Sequence, residues 1–189
     1  MLVVGIMGSP RRNSNTDILL ASALQAAEEC GATTQTLRVC EMNVGPCREY
    51  YHCAVDGTCS IQDDMVDVYA ALVSADRIVL SSPVFFYGLT SQAKALVDRC
   101  QALWIRRHVL KSWEPDLEAR RGLLIAVGAT KGPKVFDGVL LTAKYFFDAV
   151  GVRHFDSVLT RGLDGRAVVN DYPDYIDQAR NAGRQLVSG

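Results

Sequence analysis

The residues best placed to do chemistry stand in one segment, Gly8-Ser-Pro-Arg-Arg-Asn-Ser-Asn-Thr-Asp17. Ser9, Ser14 and Thr16 offer hydroxyls, Asn15 an amide, and Arg11 or Arg12 a positive charge. Such groups together bind an oxyanion. The segment follows Leu2-Val-Val-Gly-Ile-Met7, which reads as a buried strand, and precedes Ile18-Leu-Leu-Ala-Ser-Ala-Leu-Gln-Ala-Ala27, which reads as a helix. A helix start leaves N–H groups unpaired, and its dipole favours an anion. The segment lacks Gly-Lys-Ser/Thr and Gly-x-Gly-x-x-Gly, so it is neither a nucleoside-triphosphate loop nor the usual dinucleotide fingerprint. A terminal phosphate monoester remains. The competing reading is a capped helix, with Ser14 and Asp17 as a capping-box-like pair, and both can hold at once.

A second segment, Ser81-Ser-Pro-Val-Phe-Phe-Tyr-Gly88, leaves a strand in an unusual way. Pro83 fixes φ and has no N–H for a ladder. Val84 and the aromatic cluster Phe85, Phe86 and Tyr87 offer a wall for a planar ring, and Gly88 permits close approach or a positive φ. The competing reading is that these aromatics pack beneath the sheet end. A third loop offers Thr130, Lys131 and Gly132. Lys131, or a backbone N–H, would stabilise negative charge developing on a reduced ring, although a solvated loop lysine reads equally simply. A phosphate cradle beside an aromatic wall suits a mononucleotide with a large flat ring, and flavin mononucleotide (FMN) fits best. The residues expected to bind it are Ser9, Arg11, Ser14, Asn15, Thr16, Pro83, Val84, Phe85, Phe86, Tyr87, Gly88, Thr130 and Lys131. No catalytic acid, base or metal ligand is expected, because the cofactor carries the chemistry.

The elements that must position these loops alternate. Strands are expected near 2–7, 33–39, 77–81, 122–127 and 152–158, and helices near 15–30, 62–74, 90–105, 135–149 and 172–187. Residues 40–60 and 106–119 read as irregular. Five βα units predict an α/β, flavodoxin-like three-layer sandwich: a five-stranded parallel sheet of order 2-1-3-4-5 in a single domain over 1–189. In that order the winding reverses between strands one and three, so the loops after strands one, three and four converge where ligands bind.

Composition narrows the partners. The formal net charge is −1, with no basic block, which argues against nucleic acid and mildly against a strongly acidic one-electron shuttle. No apolar run is long enough for a bilayer, and the first residues enter strand one without a leader pattern, so a cytoplasmic location is expected. Asp63 and Asp64 read as carboxylates complementing a helix dipole. The Cys-x5-Arg spacing of Cys100 and Arg106 spans bulky helical residues and reads as chance. His108 and His154 have no evident partner. Trp104 and Trp113 flank Arg106-Arg-His108 and suggest an oligomer contact or a lid.

The chain resembles the NADPH-dependent FMN reductase family, in its branch close to the iron–sulfur flavoproteins. The resemblance rests on Gly8-Ser-Pro-Arg11 with Ser14-Asn-Thr16, on Cys59-Ser-Ile-Gln-Asp-Asp-Met65, on Ser82-Pro-Val-Phe85, and on Lys94 with Asp98-Arg99. It implies a flavodoxin-like fold, bound FMN, NADPH (or NADH) as transient reductant, and a homodimer or homotetramer. The expected activity is hydride transfer from a reduced nicotinamide through flavin to a quinone, free flavin or similar small acceptor. The alternative is an electron-transfer protein serving a protein partner; a third reading is a regulatory mononucleotide-binding domain that has lost flavin.

The cysteines depart from the family's iron–sulfur branch. That branch resembles Cys-x2-Cys-x2-Cys with a fourth Cys a few residues on. Here the run is Cys47-Arg-Glu-Tyr-Tyr-His-Cys53-Ala-Val-Asp-Gly-Thr-Cys59, with Tyr50 at the place of the second cysteine. Four thiolates normally hold a cubane cluster, so no cluster is expected, although Cys40 lies seven residues upstream as a fourth candidate. Zinc on Cys47, His52, Cys53 and Cys59 is a legal ligand set with awkward geometry. The preferred reading is a degenerate cluster loop used for packing or a subunit interface.

Overall fold

In the computed structural model, which describes residues 1–188, aliphatic runs form five strands. These are β1 Leu2–Met7, β2 Thr33–Arg38, β3 Arg77–Pro83, β4 Arg121–Gly128 and β5 Arg153–Arg161. All pairings are parallel, in the order 2-1-3-4-5. The helices are α1 Asn15–Glu29, α2 Cys53–Asp56, α3 Met65–Ser74, α4 Ser91–Arg99, α5 Gln101–Trp104, α6 Asp137–Ala149 and α7 Pro173–Ser188.

The period-2 alternation of strand side chains sorts the core into two layers. Val4, Ile6, Ile78, Leu80, Leu124 and Ala126 face α3, α4 and α6. Val3, Met7, Val79, Leu123, Ile125 and Val127 face α1 and α7. Helices α1 and α7 touch closely at Gly183, where a Cβ would overlap the Ala23 carbonyl. At the N-terminal end of the sheet, buried Arg120 donates to the carbonyls of Leu72, Ala75, Val150 and Gly151, capping the ends of α3 and α6. Among the described residues, no helix is long and apolar enough to cross a membrane.

Several boundaries differ from the sequence-based expectation. β3 runs on through Ser82 and Pro83, which pair with Ala126 and Val127. Proline is tolerated there because the next N–H, that of Val84, makes the bond to Val127 O (2.9 Å). The helix expected over 90–105 is interrupted at Cys100, and residues Ile105–Val109 continue as a π-helical turn into the connector. The helix expected near 62–74 begins only at Met65. Asp63 and Asp64 do more than complement its dipole: Asp63 forms a buried ion pair with Arg99 (2.7 Å), and Asp64 accepts from the Asn43 N–H (2.7 Å).

Candidate functional site: the cleft at the start of α1

The loops after β1, β3, β4 and β5 line one cleft at the start of α1. Its walls include Ser9, Arg11, Ser14, Asn15, Thr16, Pro83, Val84 and Phe85, joined by Ala129 and by Leu163–Arg166. Buried hydroxyls beneath it tie the loops together. Ser81 Oγ donates to Thr16 O (3.1 Å), Thr90 Oγ1 to Gly8 O (2.6 Å), and Ser82 Oγ accepts from the Thr90 N–H (3.2 Å).

The β1 loop is shaped by its own polar groups. Ser14 is the N-cap of α1, its Oγ accepting from the Asp17 N–H (3.2 Å) and lying 3.0 Å from Thr16 Oγ1. The capping box is shifted by one residue, since the Asp17 carboxylate accepts from the Asn13 N–H (2.8 Å) and pairs with Arg38 (2.8 Å). The N–H groups of Asn15 and Thr16 are the donors that an opening helix turn leaves. Ser9 Oγ accepts from the Arg11 N–H (3.2 Å). Arg12 turns away to Glu41 (2.8 Å), so Arg11 is the arginine of this loop that lines the cleft.

Asn15 has a different job from the one its type suggests. Its Nδ2 donates to Gly165 O and its Oδ1 accepts from the Val169 N–H, both at 3.0 Å. The amide is spent on holding the β5 loop against the cleft. Arg166 on that loop donates in turn to Arg12 O (2.8 Å). Leu163, Asp164 and Arg166 escaped sequence reasoning because they form no oxyanion motif; Gly162 and Gly165, both at positive φ, were their one signal.

The aromatic wall is a tight hairpin. Phe85 and Gly88 exchange two hydrogen bonds (3.0 and 2.9 Å), and the residues between them, Phe86 (φ +48) and Tyr87 (φ +64), are both left-handed. That is the type I′ pattern, usually built from Asn and Gly. The positive φ falls on the two aromatics rather than on Gly88. Phe85 lines the cleft, Phe86 stands fully exposed, and Tyr87 packs against Gly138 at the start of α6, where a Cβ would overlap the Tyr87 carbonyl. Thr130 and Lys131 are exposed and lie outside the cleft lining, with the Lys131 stem against Gly162.

A larger cavity, about 760 Å³, lies under the cysteine loop and is lined by Cys47, Tyr50, Cys53, Cys59, Ile61 and Ile105 among others. The base of this loop is pinned. Arg99, almost fully buried, donates to Gly45 O (3.0 Å), Ile61 O (3.3 Å) and both oxygens of Asp63. Burial pushes the Asp63 carboxyl up, but the bonds from Arg99, Gly45 and Met65 outweigh it and hold it below the ordinary range.

The profile of the NADPH-dependent FMN reductase family matches residues 1–158. The chain belongs to this family. Among its relatives, an iron-sulfur flavoprotein of Archaeoglobus fulgidus is 40% identical over 130 residues, covering 69% of this chain and 63% of that protein. One from Methanocaldococcus jannaschii is 36% identical over 131 residues, covering 69% and 64%. The matches thus span under two thirds of the length of these relatives. The fold is similar to that of an NAD(P)H:quinone oxidoreductase from Methanothermobacter marburgensis (TM-score 0.75, 14% identity, 100% of this chain and 98% of that one). It is also similar to that of a flavone reductase (TM-score 0.73, 18% identity, 99% and 62%).

The FMN reductase family and its iron–sulfur relatives imply two prosthetic groups. A phosphate-bearing flavin fits the cleft: a helix start, three hydroxyls and Arg11 meet a proline-aromatic wall. A four-thiolate iron–sulfur cluster does not fit the cysteine loop. The Tyr50 hydroxyl lies 3.3 Å from Arg48 Nη1 and accepts from it. Cys40 Sγ donates toward Gly8 O (3.6 Å), Cys100 is wholly buried in the core, and Cys30 caps the far end of α1. Among the described residues, no three of His, Cys, Asp and Glu are grouped to hold a metal ion.

Proposed function

We propose that the protein is an FMN-dependent NAD(P)H oxidoreductase that passes hydride from a reduced nicotinamide to a quinone, free flavin or similar small acceptor. The observation that carries this reading is the convergence of four loops on one cleft at the start of α1. Family membership supports both the flavin and NADPH as reductant. Ser9, Ser14, Thr16 and Arg11, with the N–H groups of Asn15 and Thr16, would hold the phosphate. The cleft measures about 180 Å³. That is below the roughly 300 Å³ at the lower end for small-molecule sites. Pro83, Val84 and Phe85 would offer the flat ring its wall at the mouth of the cleft.

Bound FMN supplies reversible hydride-level redox chemistry. The chain's part is to bind, orient and limit access. Asn15 sets the β5 wall, and Ser81, Ser82 and Thr90 fix the loop bases. The reduced nicotinamide would bind transiently, as a visiting reductant. Exposed Trp104, Leu141 and Tyr145 on neighbouring helices support a homodimer or homotetramer. Six unpaired thiols suit the reducing cytosol.

Titrating purified protein with FMN, then following NADPH oxidation with a quinone, tests the reading. Saturable binding with quinone-dependent turnover is expected. Failure to bind FMN, or to bind it in a way that Ser14→Ala and Arg11→Ala weaken, would overturn it. A second reading, electron delivery to a protein partner, is favoured by the name iron-sulfur flavoprotein borne by the relatives. Full flavin loading with negligible nicotinamide turnover would select it.

A further inference from the structure

We propose that Tyr50 is the residue that keeps the cysteine loop from being an iron–sulfur site, so that flavin is the sole redox group of the chain. The first half stands on the loop alone, and the second rests on the flavin reading of the cleft.

Three observations carry it. First, the spacing Cys47-x2-Tyr50-x2-Cys53-x5-Cys59 differs from a compact four-thiolate run at one position, and the three cysteines line one cavity. Second, no other thiol can take the fourth corner. Cys40 is turned to Gly8 beneath the cleft, Cys100 is enclosed by the core, and Cys30 sits at the end of α1. The phenol of Tyr50 is no substitute, being exposed and bonded to Arg48. Third, the loop keeps its shape through protein bonds. Arg99 and Asp63 clamp its base, Arg106 Nε donates to Gly57 O (2.8 Å), and Asp56 accepts from both the N–H and the hydroxyl of Thr58 (2.8 and 2.6 Å). The loop therefore has a fixed shape with no cluster to hold it.

The functional consequence concerns electron count. A cubane cluster accepts and releases single electrons, and so connects hydride chemistry to one-electron carriers. Without one, the balance is NAD(P)H plus a solvent proton plus quinone giving NAD(P)⁺ plus hydroquinone. One hydride and one proton move, and no unpaired electron has to be stored outside the flavin.

The test compares wild type, Tyr50→Cys and Tyr50→Phe. Each is purified without oxygen, incubated with ferrous iron, sulfide and a thiol reductant, then desalted. Iron and acid-labile sulfide are measured, and reduced samples are examined by electron paramagnetic resonance. Wild type and Tyr50→Phe are expected to hold neither; Tyr50→Cys is expected to hold about four of each and to give a cluster signal. Reductive titration of FMN-loaded protein should end near two electron equivalents per chain in wild type and about three in Tyr50→Cys. A wild-type protein that retains three or four irons with sulfide overturns the inference, whichever residues ligate them. So does a Tyr50→Cys protein that melts and binds FMN like wild type yet takes up no cluster. Should that substitution prevent folding, the wild-type iron and electron counts still decide. FMN binding is scored separately, so its absence would sink the flavin reading and leave the iron result standing.

Discussion

The β1 loop and the cysteine loop are both polar excursions rich in chemistry-bearing side chains, yet they are held in opposite ways. The β1 loop takes its turn from its own groups, Ser9, Ser14 and Asp17 satisfying its backbone, while Ser81, Thr90 and Arg166 tie it to its neighbours. The cysteine loop is held from outside, by Arg99, Asp63 and Arg106 on neighbouring elements. A loop that shapes itself carries its function in a short motif. A loop that is clamped at its base can lose a tip residue, as at Tyr50, without losing its shape.

The largest effect that would break this comparison is expected at the clamp. Arg99→Met strands the Asp63 carboxylate in the interior, and denaturant unfolding should show a loss of about 3–5 kcal/mol, as for other broken buried pairs. Adding Asp63→Leu should restore much of it. A loss within error would mean that the clamp does not hold the loop.

Asn15→Ala should come next. Two hydrogen bonds to the β5 loop disappear, at a cost of roughly 1–3 kcal/mol including the buried groups left unpaired. Amide exchange in 163–169 should quicken and FMN affinity fall about tenfold, while exchange at 45 and 61 stays unchanged. Equal quickening at both loops would erase the distinction.

Acid titration sharpens it further. The folded Asp63 carboxyl lies below its unfolded value of about 3.9. Its stabilisation is complete above that pH and lost as pH falls through the lower folded value. Below about pH 5, stability of the wild type should therefore drop more steeply than that of Asp63→Asn. Parallel curves would assign the acid response elsewhere.

Smaller still, Phe86→Gly should stabilise the fold slightly, by up to about 1 kcal/mol, because glycine adopts φ +48 without strain. Turnover should nonetheless fall if the exposed ring serves the acceptor. The smallest effect is expected for Arg12→Ala, whose exposed pair with Glu41 should leave both melting temperature and FMN affinity unaltered.

The sheet order was legible because each strand is a short apolar run with helical periodicity between, and right-handed crossovers leave few arrangements. The cleft residues on the β1 and β3 loops were legible for the same reason: Ser9–Thr16 and Pro83–Phe85 leave strands whose ends must meet. What stayed hidden depends on distant partners. Asp63 gives no sign that Arg99, 36 residues on, will bury with it. Asn15 looks like a phosphate donor until the β5 loop, 150 residues away, claims its amide. The interruption at Cys100 follows no helix-breaking residue, and the left-handed pair Phe86–Tyr87 contradicts the usual preference for Asn and Gly.

The pattern shared by the family stops at residue 158, whereas Leu163–Arg166 close the cleft beyond it. One side of the cleft thus lies within the matched range and the other outside it, and the two are joined through the Asn15 amide and the Arg166 guanidinium. Substitutions in the chain's last third could regrade which molecules enter while leaving the anion-holding turn untouched.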